Sequence, residues 1–194
     1  MRIVDTYPSR APTEVCWEEM DRSDHSVQIY SDTQSFLEAL EGFVSGGLRA
    51  GESVIVIATE IHRRALDRML ARRGYDLGQA KQESRYLVID AAEALDKFMV
   101  DGWPDSDKFR IFVKDIFTRA TAKGRPVRAF GEMVALLWEQ GNSASTMQLE
   151  TLWNQFCDKE GLRLFCAYPR SGFTEDALDS IGTICAHHSR VIPE

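Results

Sequence analysis

Long hydrophobic runs are missing from this sequence. No apolar stretch approaches the length needed to cross a bilayer, and residues 1–10 hold no apolar core of the signal-peptide kind. A cytoplasmic location without membrane contact is expected. Cysteine is scarce: Cys16, Cys157, Cys166 and Cys185 are the four among 194 residues, so free thiols are expected rather than a disulfide framework. Positive charge is not in excess. Lys and Arg number 23 against 30 Asp and Glu, a formal net charge of -7, which argues against direct nucleic-acid binding through the overall field. No C-x-x-C, H-E-x-x-H or G-x-S-x-G spacing occurs, which removes the common signatures of zinc sites and serine hydrolases.

What is present is a chain that is 44% hydrophobic and 27% charged, enough for one domain with a sizeable core. Residues 1–24 carry Pro8, Pro12, many charges and no apolar period. They read as an N-terminal arm or cap, with Trp17 as an anchor, ahead of a single domain over 25–194. Within that domain 25–30 reads as a strand, and Asp32 as the cap of an amphipathic helix over 33–48. Gly46, Gly47 and Gly51 are expected to end that helix in a turn. SVIVIA at 53–58 and YLVID at 86–90 are short, β-branched runs of the kind buried on both faces of a parallel sheet. Further strands are expected at 127–130 and 162–168. Helices are expected at 60–73, 91–99, 109–120, 132–138, 149–156 and 177–185. The alternation predicts a three-layer α/β/α fold with a mostly parallel central sheet.

Ligands on such sheets sit beyond the carboxyl ends of the strands. The polar residues placed there are Thr59, Glu60, His62, Asp90, Glu132, Tyr168 and Arg170. FVSGGLRAG followed by an apolar strand resembles the approach to the phosphate loop of RecA/KaiC-like ATPases. That loop needs glycines to wrap phosphates and a Lys to reach them, and neither residue occurs between Glu52 and Arg73. The expectation is a RecA/KaiC-like fold without a functional phosphate loop, and not a nucleotide hydrolase. Asp90 reads first as a helix N-cap, with the metal-binding carboxylate of such folds as the alternative. Glu132 reads equally as a capping carboxylate or as a carboxylate at the cleft mouth. Glu150, Trp153 and Asn154 share one helix face, with Trp153 directed to the core. The arginines of 60–73 read as a solvated face, with a docking surface for an acidic partner as the alternative. No ligand spacing supports a metal site, and no cofactor is expected. A site assembled from His25, Cys166 and a C-terminal histidine is a hypothetical alternative.

The stretches HSVQIY at 25–30, FVSGGLRAGESVIVIATEIHRRAL at 43–66 and YLVIDAAEALDKFMVDGWPD at 86–105 carry a family resemblance. VRAFGEMVALLWEQGN at 127–142, LETLWNQF at 149–156, LFCAYP at 164–169 and ICAHHSRVIP at 184–193 extend it. Together they resemble the MEDS domain, a methanogen/methylotroph sensory domain. The resemblance implies a RecA/KaiC-like fold that has lost its phosphate loop, and a sensor of small molecules, hydrocarbon derivatives among them. The positions it marks are His25, Tyr30, Thr59, His62, Arg128, Glu132, Glu150, Asn154, Cys166, Tyr168 and His188.

The leading expectation is a non-catalytic sensory domain. It binds a small molecule at the strand ends through those residues and Trp153, and signals to a separate regulatory protein, because no output module follows in the sequence. A homodimer is left open. Two alternatives stand beside it: a small-molecule enzyme using Glu132 and His25 for acid–base chemistry, and an interaction scaffold with no ligand.

Overall fold

The computed structural model of the chain describes Trp17, residues 20–173 and residues 177–194. Most of the expected N-terminal arm lies outside these residues. Trp17 itself is buried, 5.1 Å from the ring of Phe43 and 5.0 Å from that of Phe165, as an anchor would be.

Six parallel strands form the central sheet: β1 (His25–Tyr30), β2 (Ser53–Ala58), β3 (Tyr86–Asp90), β6 (Val127–Gly131), β7 (Arg163–Pro169) and β8 (Arg190–Ile192). Their order across the sheet is β3-β2-β6-β7-β1-β8. A separate two-stranded antiparallel ribbon is formed by β4 (Met99–Val100) and β5 (Trp103–Pro104). The helices are α1 (Thr33–Arg49), α2 (Glu60–Arg72), α3 (Leu77–Gln82), α4 (Ala91–Phe98), α5 (Ser106–Thr121), α6 (Met133–Glu139), α7 (Ser143–Glu160) and α8 (Ala177–Ala186). Several start on an aspartate whose carboxylate accepts an orphan backbone N–H: Asp32, Asp76, Asp90 and Asp105. Asp90 is thus the N-cap that its position suggests. Among the described residues no helix is long and apolar enough to cross a membrane.

Side chains alternate across the sheet with a period of two, and this parity builds two cores. Val27, Ile29, Ile55, Ile57, Leu164 and Cys166 face α4–α8. Tyr30, Val54, Val56, Phe130, Phe165 and Ala167 face α1–α3. The result is the expected three-layer α/β/α arrangement.

One local expectation is corrected. Gly46 and Gly47 do not end α1; the helix runs through both of them to Arg49, and the turn is made by Gly51 at φ 79°. Gly47 serves close packing instead. A Cβ there would lie 2.7 Å from Arg128 Cδ and 3.0 Å from Val54 Cγ2, so only glycine lets the Arg128 stem pass.

Candidate functional site

Ten of the twelve residues singled out in the sequence fall into two clusters on opposite faces of the sheet. Arg128 and Trp153 join neither.

The first cluster lies at the carboxyl end of the sheet, on the α1–α3 side. β2 and β6 are neighbours, and the Glu132 N–H donates to Ile57 O at 2.9 Å, extending the ladder by one residue. Glu132 then opens α6 without using its side chain as a cap. Its carboxylate instead reaches across to β2. There it accepts the Thr59 N–H at 2.7 Å and the Thr59 hydroxyl at 3.2 Å, and lies 2.7 Å from His62 Nδ1. Thr59 is the N-cap of α2, so the carboxylate occupies the positive end of that helix. Tyr30 completes the group. Its ring stacks on Phe36 at 4.6 Å, and Phe36 meets the His62 ring edge-on at 5.0 Å. Burial, reinforced by the charges of Glu132 and Glu139, pushes the Tyr30 hydroxyl well above its ordinary pKa, so it stays a neutral donor. Phe36 is the member that sequence reasoning missed. It looked like any inner-face residue of α1, and only the packing shows it bridging two polar side chains.

The second cluster lies on the other side of the sheet, under α7 and α8. His25, Cys166 and Tyr168 sit at alternate positions of β1 and β7, whose register pairs Val27 with Cys166 and Ile29 with Tyr168. α7 lays Glu150 and, one turn on, Asn154 over them. His188 closes the group from the segment between α8 and β8. Glu150 is fully buried. It accepts a short hydrogen bond from the Tyr168 hydroxyl. Its Oε2 lies 3.4 Å from His25 Nε2, and its Oε1 lies 3.4 Å from His188 Nε2. Cys166 Sγ lies 3.3 Å from His25 Nε2 and 4.0 Å from Glu150.

Electrostatics in this second cluster are dominated by burial. Burial, against the pull of Glu150, brings His25 down to about 4, so its imidazole is neutral at neutral pH. Burial likewise holds the Cys166 thiol and the Tyr168 hydroxyl protonated, with the Glu150 charge adding to the effect. For Glu150 itself burial works upward, but His188, His25 and the Tyr168 hydroxyl outweigh it and keep the carboxyl below its ordinary value.

Two residues lie elsewhere. Arg128 points to the α1 side near the start of β6, away from the strand ends. Its Nε donates to Glu52 at 2.5 Å and its Nη1 to Phe43 O at 2.9 Å. Arg163 donates to the same Glu52 carboxylate at 2.8 Å. Arg128 is therefore tied into a buried structural ion pair. Trp153 packs edge-on against Phe109 at 5.0 Å, in the core. Of the arginines on α2, Arg63 donates to Asp90 at 2.6 Å and Arg64 to Glu60 at 2.5 Å. A charged groove of about 540 Å³ runs along the outer edge of β3 between Arg63, Lys81 and Arg119, apart from both clusters. Among the described residues Cys157, Cys166 and Cys185 are free thiols.

Residues 24–188 match the family described as MEthanogen/methylotroph, DcmR Sensory domain (MEDS). The chain belongs to the MEDS family. The matched range includes both His25 and His188, so both clusters fall within this MEDS domain. The fold is similar to that of a KaiC-like protein from the hyperthermophilic archaeon Pyrococcus horikoshii, with a TM-score of 0.61 over 89% of this chain and 72% of that one. At 16% identity the likeness shows the KaiC-like fold alone. No curated protein matches the sequence of this chain.

Proposed function

We propose that this MEDS domain senses a small organic molecule at the carboxyl end of its sheet, without turning it over, and passes the event to a separate protein. The observation that carries the reading is the placement of Glu132. It leaves its own helix uncapped and joins His62 and Thr59 at the strand ends, where open α/β sheets receive ligands. The carboxylate and imidazole suit a hydroxyl or amine, and the Tyr30–Phe36 pair suits a short apolar body, which together describe a simple hydrocarbon derivative. The same geometry opposes nucleotide hydrolysis. The start of α2, where a phosphate loop would bind anions, already holds the Glu132 carboxylate and would repel a phosphate.

Thermal-shift and calorimetric titration against short-chain alcohols, amines, ketones and halogenated alkanes tests the proposal. At least one compound class raises the melting temperature, is recovered unchanged, and loses its effect in Glu132→Gln and His62→Ala. A full response in Glu132→Gln, or consumption of the compound, contradicts it.

A further inference from the structure

The second cluster has no part in the reading above, and its chemistry is of a different kind. Its two imidazoles are each anchored at Nδ1. His188 Nδ1 lies 2.7 Å from Ile184 O, a backbone acceptor, so Nδ1 carries the proton. His25 Nδ1 lies 2.7 Å from Asn154 Oδ1. The amide NH2 of Asn154 donates to His187 O at 2.8 Å, which leaves Oδ1 as the acceptor and puts the proton on His25 Nδ1 as well. The Nε2 atom of each ring is thereby turned toward Glu150; His25 Nε2 also has the Cys166 thiol 3.3 Å away, whereas His188 Nε2 faces the carboxylate alone. Lone pairs on imidazole and carboxylate facing each other at 3.4 Å repel unless something positive lies among them. The His188 side chain is 0% exposed, and its Nε2 has no hydrogen-bond partner.

We propose that His25, Glu150, Cys166 and His188 are the ligands of a zinc-class divalent cation. Their ligand atoms all lie within 4.8 Å of one another. Tetrahedral zinc with bonds of about 2.0–2.3 Å requires ligand-to-ligand separations of roughly 3.3–3.6 Å. With Glu150 Oε2 as the carboxylate ligand, the distances of 3.3 Å for His25 to Cys166 and 3.4 Å for His25 to Oε2 fit that figure, Cys166 to Oε2 at 4.0 Å is within a small adjustment of it, and His188 approaches the same carboxylate through Oε1 at 3.4 Å. The surroundings fit too. A metal-bound histidine donates its second ring N–H to an oxygen, as both do here, and the Tyr168 hydroxyl steadies the carboxylate. Charge balances: two neutral imidazoles, one thiolate and one carboxylate offset a dication in a buried place. The Cys166 thiol releases its proton to solvent as the metal–sulfur bond forms. Two nitrogens, a sulfur and a single carboxylate select zinc, cobalt or iron over calcium and magnesium. Four protein ligands make the site closed, hence structural or sensory rather than hydrolytic.

Cobalt substitution of the full chain decides the matter. The protein is stripped with chelator, titrated with cobalt chloride and back-titrated with zinc chloride, and its metal content is measured by mass spectrometry. Expected are one metal ion per chain, visible d–d bands of tetrahedral cobalt, and a near-ultraviolet thiolate-to-cobalt band. Cys166→Ser loses that last band. Asn154→Ala keeps a tetrahedral spectrum but binds about 10–100-fold more weakly. Failure of the wild-type chain to take up stoichiometric metal overturns the proposal, as does a thiolate band that survives in Cys166→Ser. If Cys166→Ser does not fold, the wild-type spectrum and the weakened affinity of Asn154→Ala still decide. Glu132→Gln leaves metal binding unchanged, so loss of small-molecule response and loss of metal are separable results.

Discussion

Arg128 and Gly47 show how tightly a single buried charge constrains its neighbours. Arg128 and Glu52 are almost wholly buried and paired, and Arg163 shares the Glu52 carboxylate. Truncating Arg128 leaves Glu52 with Arg163 alone, so Arg128→Ala is expected to destabilise in urea unfolding, by less than the roughly 3–5 kcal/mol of a fully stranded buried charge. Gly47→Ala tests the same packing from the other side. Alanine gains up to ~1 kcal/mol over glycine by helix propensity. It also drives a methyl group into a guanidinium stem held by Glu52, and overpacking of that kind costs about 1–3 kcal/mol. The net expectation is destabilisation. Gly182 in α8 is exposed, and a Cβ added there would meet nothing within 4 Å, so Gly182→Ala is expected to be neutral or stabilising. An unfolding series in which both glycines respond alike would contradict this account.

At the scale of elements, the start of α1 is held from two directions. Asp32 accepts the Ser35 N–H, and Glu194 accepts the N–H groups of Ser31 and Asp32. The Ser35 amide lowers the Asp32 pKa, and the Ser31 amide lowers that of Glu194. Since folding lowers both values, their contribution is complete above the ordinary carboxylate range, near pH ~4, and is lost as pH falls through the lowered values. Amide exchange on acidification should therefore show Ser31, Asp32 and Ser35 losing protection before the centre of α1. Glu194→Gln should weaken the protection of Ser31 and Asp32 at neutral pH, while Ser35 keeps its bond to Asp32.

The elements legible in the sequence were those whose pattern exceeds about one helical turn or one run of β-branched residues, such as β2 and α5. Those that escaped notice are short or polar. α3 is six residues with a glycine inside, β8 is three residues before a proline, and the first turns of α7 read SASTMQ, without an apolar period. The site was legible as a set of residues but not as two groups. His25, Cys166 and Tyr168 come together only because β1 and β7 are neighbours in this register, and strand order is a long-range property that local periodicity does not contain. Arg128 entered the set through the family resemblance, but its odd-even position on β6 turns it to the opposite layer from Cys166.

At the scale of the molecule, His188 ties the α7–α8 layer to the last strand, because β8 begins two residues later. A bound ion there would stabilise the folded state by mass action, by about 2.7 kcal/mol at a free concentration one hundred times its dissociation constant. Chelator is expected to lower the melting temperature of the wild-type chain and to leave that of Cys166→Ser where it was. A chelator effect equal in both would place the metal elsewhere. Loss of the ion should also raise amide exchange in β8 ahead of β2 and β6, which lie deeper in the sheet.

β1 begins at His25 in one cluster and ends at Tyr30 in the other. One fully buried strand of six residues thus spans the distance between them. Linkage makes any influence along it symmetric: whatever factor an occupant of one end imposes on affinity at the other must be returned in full. A titration at the Tyr30 end, repeated with and without cobalt at the His25 end, would give that factor directly. A ratio of one would mean that the two ends of β1 are independent, and any other value would measure how strongly they are coupled.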